Sequence, residues 1–145
     1  MKVVIQRAKN AKVDINNKVN GSIENGLVIL VGFTYGDSTK DIDYMVNKIV
    51  NLRIFDDEDG VMNKSILDVG GTVLSISQFT LYADTTKGRR PSYVNALNGD
   101  EATKLYDIFN QKLNQIVHTE TGVFGSEMQV TLTNDGPITI VMESR

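Results

Sequence analysis

Two extended runs joined by turn residues open the chain and narrow its possible folds at once. "KVVIQRAKNAKVDI" is followed directly by "NNKVNGSI". A turn-rich junction of this kind reads as a β-hairpin. "GLVILVGFT" comes next, a short apolar run bounded by Gly26 and Gly36, as in a buried strand.

The pattern then changes to a helical period. In "STKDIDYMVNKIVNLR", Ser38 is placed to cap a helix and Asp41 stands three residues on, as in a capping box. Ile42, Met45, Val46 and Ile49 recur at helical spacing. A second helix is predicted over "NGDEATKLYDIFNQKLNQIVH", with Asn98 and Glu101 as another capping-box pair. Ala102, Leu105, Tyr106, Phe109, Leu113 and Ile116 form its apolar stripe, which reads as core. Between the helices, "DDEDG" at Asp56 to Gly60 lacks the ligand spacing of a calcium loop and reads as a solvated turn.

Three further strands are expected. "GTVLSISQFTLYAD" carries Val73, Leu74, Ile76, Phe79 and Leu81, interrupted by Ser75, Ser77, Gln78 and Thr80. "SEMQVTLTN" alternates, with Met128, Val130 and Leu132 facing one way and Gln129, Thr131 and Thr133 the other. "VTLTNDGPITI" reads as two strands broken at Gly136-Pro137. Strands with two amphipathic helices give one α+β domain over residues 1–145, a curved or barrel-like mixed sheet packed with two main helices.

Composition limits the function. The chain has no cysteine, which removes disulfides and thiolate metal sites and suits a cytoplasmic protein. Lys2, Arg7, Lys9 and Lys12 interrupt the first residues, so no signal peptide is expected there. No apolar run approaches the ~18 residues of a membrane helix. A net charge of -3 argues against broad nucleic-acid binding, although "TKGRRPSY" gathers Lys87, Arg89 and Arg90.

Familiar catalytic machinery is missing. His118, the only histidine, falls near the predicted end of the second helix, where a cation suits the helix dipole. Ser-His-Asp and Cys-His chemistry therefore have no basis, and no zinc-protease, P-loop or dinucleotide motif occurs. Two stretches remain. Ser77, Gln78 and Thr80 put polar groups inside an apolar run, as a hydrogen-bonded edge strand or as part of a site. "NDGP" is either a simple turn or backbone presented to a ligand.

Taken together, "SQFTL" at Ser77 to Leu81 and "NDGPITI" at Asn134 to Ile140 resemble the paired signatures of the D-aminoacyl-tRNA deacylase family, S-Q-x-x-L and N-x-G-P-[VI]-T. The likeness continues in order through "MKVVIQRAKNAKVDI", "GLVILVGFTYGD", "KGRRPSY" and "TGVFGSEMQVTLTNDGP". It implies hydrolysis of the ester joining a D-amino acid to the 3'-terminal adenosine of tRNA, and removal of glycine from mischarged tRNA. It also implies a cytoplasmic homodimer with its active sites at the subunit interface, no cofactor, no metal and no membrane partner.

The resemblance assigns residues as well. The catalytic set is Ser77, Gln78, Phe79 and Thr80, with backbone N–H groups near Phe79 and Thr80 as the oxyanion site. Gly136 and Pro137 are implied to form a cis peptide that enters the neighbouring subunit's site and faces the substrate α-carbon. A backbone wall there would test handedness while ignoring side-chain identity. Phe124 matches a position near the terminal adenine, and Arg7 one that braces the Gly-Pro loop. Thr80 has no evident base, so the ribose 2'-OH is the expected partner of the attacking water. Lys87, Arg89 and Arg90 either meet acceptor-stem phosphates or form a solvated loop.

Overall fold

The computed structural model describes residues 1–144. β1 (Lys2–Ile15) and β2 (Lys18–Gly32) form the expected hairpin. Asn16 and Asn17 turn it with φ of 51° and 62°, the left-handed region that asparagine tolerates better than most residues. Five strands form one mixed sheet in the order β6-β5-β2-β1-β7. β5 (Thr72–Ser77) lies parallel to β2 and to β6 (Thr119–Thr121), while β7 (Gln129–Glu143) runs antiparallel to β1. The sheet keeps two edges, β6 and β7, and is not a closed barrel.

The two main helices are α1 (Thr39–Asn51) and α3 (Gly99–Asn114). α1 starts as predicted, with Ser38 and Asp41 in a complete capping box. α3 keeps half of its expected box: Asn98 Oδ1 accepts from the Glu101 N–H at 3.1 Å, and no reciprocal Glu101 bond joins it among the described residues. Ala102, Tyr106, Phe109 and Leu113 are buried as predicted. Ile116 is not, because α3 ends at Asn114 and leaves it 49% exposed. His118 likewise lies past the helix and pairs with Glu120 at 3.1 Å.

A β3 (Phe55–Asp56) and β4 (Met62–Lys64) hairpin and α2 (Ile66–Val69) join α1 to β5. The acidic turn between β3 and β4 is self-satisfied, since Asp57 Oδ1 accepts from the N–H groups of Asp59 and Val61 at 2.9 and 3.0 Å.

Alternating strand residues serve two cores. Val3, Ile5, Leu27, Ile29 and Val31 pack against the helices. Ala8, Ala11, Val13, Ile23, Val28, Leu74 and Ile76 form a second core. Burial on both faces explains the near-continuous apolar run in β2. Among the described residues, no helix is long and apolar enough to cross a membrane.

Two strand expectations need correction. β5 stops at Ser77 instead of continuing through Asp84. The Gln78 N–H makes a last bond to the Val31 carbonyl at 2.8 Å, and Phe79–Tyr82 winds into a 3-10 turn. β7 is one strand, not two. Gln6 pairs with Thr139 and Ala8 with Asn134, so β1 advances two residues where β7 advances five. The surplus bulges outward and carries Gly136-Pro137.

Candidate active site

The 3-10 turn after β5 is built around a missing side chain. Gly32 lies under it, and a Cβ there would stand 2.8 Å from the Gln78 carbonyl oxygen. With glycine beneath, the chain folds back tightly over β2. Leu81 N–H bonds the Gln78 carbonyl at 3.3 Å and Ala83 N–H the Thr80 carbonyl at 3.0 Å. The N–H groups of Phe79 and Thr80 open the turn, and neither meets an acceptor among the described residues. First-turn donors are left over by helical geometry itself. Here they are two adjacent backbone donors ready to receive negative charge.

A cavity of about 170 Å³ lies beside this turn, lined by Ser77, Phe79, Phe124, Gly125, Ser126 and Met128. No acid, base or histidine is among these residues. Gln78 Nε2 donates to Thr80 Oγ1 at 2.5 Å, which fixes both side chains. Among the described residues, Thr80 Oγ1 has no basic partner that would make it a nucleophile. Phe79 is 53% exposed and meets the edge of Tyr93 at 5.1 Å between ring centroids. Phe124 is half-buried, its ring 5.9 Å from that of Tyr106.

Tyr106 has a second task that its place in the apolar stripe concealed. Its hydroxyl donates to the Ser75 carbonyl at 2.8 Å, within β5 and four residues before Phe79. Burial pushes this hydroxyl above its ordinary pKa, so it stays a donor at neutral pH. A tyrosine on a stripe that phenylalanine or leucine would fill equally well was the available signal.

The Gly136-Pro137 bulge is held from several sides. The peptide is cis, and both residues are exposed. Asn134 Oδ1 accepts from the Ile138 N–H and Asn134 Nδ2 donates to Thr139 Oγ1, each at 3.0 Å. Arg7, only 8% exposed, donates through Nε to the Asp135 carbonyl at 3.1 Å and through Nη1 to the Ile54 carbonyl at 2.9 Å. The same guanidinium lies 3.3 Å from the Asp135 carboxylate and 3.4 Å from that of Asp56. Gly136 has φ 133°, and a Cβ would stand 2.8 Å from Ile138 Cγ1 and 3.0 Å from its backbone nitrogen. Glycine is therefore required by conformation and by space.

The structure brings Ser77, Gln78, Phe79, Thr80 and Phe124 together, and holds Arg7, Gly136 and Pro137 in a second group. Within one chain the two groups are apart. Ser77 pairs with Val31, Val31 with Val3, and Val3 with Met142, so β2 and β1 separate β5 from β7. Three strand spacings make roughly 14 Å across the sheet. Arg7, beside the bulge, lies four residues along β1 from Val3, about 13 Å along the strand.

The basic loop leaves the same turn as the cavity. Asp84 and Ser92 close it with paired backbone bonds of 2.8 and 2.9 Å. Lys87, Arg89 and Arg90 are exposed, and none forms an ion pair among the described residues.

Known proteins are similar to this chain in sequence and in fold. A family model described as D-Tyr-tRNA(Tyr) deacylase matches residues 4–143. A D-aminoacyl-tRNA deacylase of Thermus aquaticus is 54% identical over 145 residues, covering 99% of this chain and 95% of that protein. A solved structure described as c-Myc DNA Unwinding Element Binding Protein is similar at a TM-score of 0.95 and 37% identity, covering 100% of this chain and 99% of that one. Another, described as a probable eukaryotic D-amino acid tRNA deacylase, has a TM-score of 0.84 at 16% identity, covering 97% of each chain, a likeness of fold alone.

Proposed function

The chain belongs to the D-Tyr-tRNA(Tyr) deacylase family and is a hydrolase of ester bonds, and we propose that it removes D-amino acids, and mischarged glycine, from the 3'-terminal adenosine of tRNA. Water adds to the ester carbonyl, the bond from that carbon to the ribose 3' oxygen breaks, and the 3' oxygen takes up a proton. The N–H groups of Phe79 and Thr80 receive the negative charge that develops on the carbonyl oxygen. Ser77 and Gln78 shape this pocket, and the terminal adenine packs on Phe124. Since no acid or base lines the cavity, the ribose 2'-OH orients and activates the water.

One observation carries the assembly: within a chain, the Gly136-Pro137 bulge stands apart from the cavity. An exposed loop braced so thoroughly by Arg7 and Asn134 is suited to contact another surface. In a symmetric homodimer each bulge completes the neighbour's cavity. There it forms a rigid backbone wall against one face of the substrate α-carbon. An L side chain would strike that wall, a D side chain points away, and glycine has nothing to strike.

The test is incubation with matched D- and L-aminoacyl-tRNA. Rapid loss of the D-ester alone supports the proposal. Equal rates, or binding without release, would overturn it.

A further inference from the structure

A second cavity adjoins the first across the ring of Phe124. It measures about 380 Å³ and lies between α3 and the chain that follows β6. Thr103, Asp107 and Asn110 line one side and Thr121, Gly122 and Phe124 the other. The three α3 residues are spaced to share one helix face.

Their chemistry is one-sided. Asn110 Oδ1 is shielded from solvent and meets no donor among the described residues. Thr103 donates its hydroxyl proton to the Gly99 carbonyl at 2.6 Å, so its oxygen faces a ligand as an acceptor. Asp107, when ionised, accepts only. These acceptors on the α3 side suit a ligand edge that carries N–H and O–H donors. A buried acceptor without a partner also disfavours an apolar occupant.

Phe124 borders both cavities. An aromatic ring between two spaces of this kind can stack a base on either side. With its ester carbonyl against the N–H groups of Phe79 and Thr80, as proposed above, the terminal adenosine takes the inner space and leaves the outer one free. The nucleotide before it can. In every tRNA that nucleotide is a cytidine, whose N4 amino group and 2'-OH are donors.

We propose that the groove between α3 and the β6–β7 connection seats the penultimate cytidine of the tRNA end, with the Asn110 side chain turning its shielded, unpartnered Oδ1 into the groove to accept from the N4 amino group and Phe124 held between that base and the terminal adenine. This rests on the deacylase reading of the neighbouring cavity and adds a second nucleotide subsite to it.

Three substrates test it: one D-amino acid esterified to adenosine, to the dinucleotide CpA and to UpA. Uridine presents an acceptor where cytidine presents the amino group. The wild-type protein should hydrolyse the CpA ester with kcat/KM about fivefold above that of the UpA ester, the worth of one ordinary hydrogen bond, and further still above that of the adenosine ester, which also lacks the stacked base. Asn110→Ala should erase the preference for CpA over UpA and leave the adenosine ester unchanged. Equal wild-type rates on CpA and UpA would overturn the subsite, and that comparison needs no variant. So would an Asn110→Ala loss shared equally by the adenosine ester. Failure to hydrolyse both the adenosine and the CpA esters while D-aminoacyl-tRNA is hydrolysed would overturn the subsite, since the cytidine would then add nothing. Failure on D-aminoacyl-tRNA as well would remove the deacylase reading itself.

Discussion

Arg7 holds the backbone carbonyl of Asp135 at 3.1 Å, and through it the bulge that carries Gly136 and Pro137. The same side chain donates to the Ile54 carbonyl, so it ties an edge strand to the start of the β3–β4 hairpin. Arg7→Ala should cost about 1–3 kcal/mol of stability, because buried carbonyls lose their donor. If the bulge forms the proposed wall, the same substitution should also lower the ratio of D- to L-ester hydrolysis. Arg7→Lys keeps the charge without the planar fork and should recover only part of either loss. Urea unfolding and paired D/L kinetics measure the two effects separately.

The proposed catalysis by backbone donors is tested by a substitution that removes one. Phe79→Pro deletes the N–H at the first position of the 3-10 turn, where proline is sterically welcome. Relative to Phe79→Ala, which keeps that N–H, kcat should fall by about 10²–10³. Similar rates for the two variants would place the oxyanion elsewhere.

Thr80 Oγ1 receives the Gln78 amide proton and has no base beside it among the described residues. Thr80→Ala should lose less than the roughly 10²-fold that a general acid or base supplies. A substrate with hydrogen in place of the terminal 2'-OH should lose about that much or more. Trapping an acyl group on Thr80 would reverse this assignment.

Subunits damaged in different places should rescue one another. Gly136→Val forces a Cβ to within 3 Å of Ile138 and should deform the bulge, while Phe79→Pro damages the cavity. Each homodimer alone should be nearly inactive. Unfolded together and refolded, an equal mixture should regain about a quarter of wild-type activity, since half of the dimers then hold one intact pair. Light scattering should report about twice the 16.0 kDa chain mass. No rescue, or a fully active monomer, would contradict the shared site.

Acid should weaken the fold through its helix caps. Asp68 accepts from the Ser65 backbone N–H, which holds its carboxyl below the ordinary range. Burial raises Asp41, but its bonds to Ser38 outweigh that and lower it overall. In both cases the unfolded chain takes up the proton more readily, so the stabilisation is complete above about pH 4. It is lost as pH falls through the folded values. Asp68→Asn should flatten part of that acid decline in urea unfolding measured between pH 5 and 2.5.

The hairpin and the two main helices were legible because local chemistry specifies them. Asn16-Asn17, Ser38 with Asp41, and the apolar stripe of α3 act within a few residues. The end of β5 at Ser77 was not, because Gly32 on a distant strand permits the turn there. Nor was the continuity of β7, which exists only in its pairing with β1 on both sides of the bulge. The residues of the two motifs were found by resemblance. Their local chemistry, a few hydroxyls and a turn, left other readings open. The acceptor-lined groove on α3 had no signature, since Thr103, Asp107 and Asn110 look like an ordinary solvated helix face.

The distance between bulge and cavity in each chain bears on how the activity responds to supply. If two copies must meet to build either site, dilution below the dissociation constant silences the protein without unfolding it. Specific activity in that regime rises with total chain concentration, so velocity follows its square. A cell that halves production of this chain would then lose about three-quarters of its proofreading capacity.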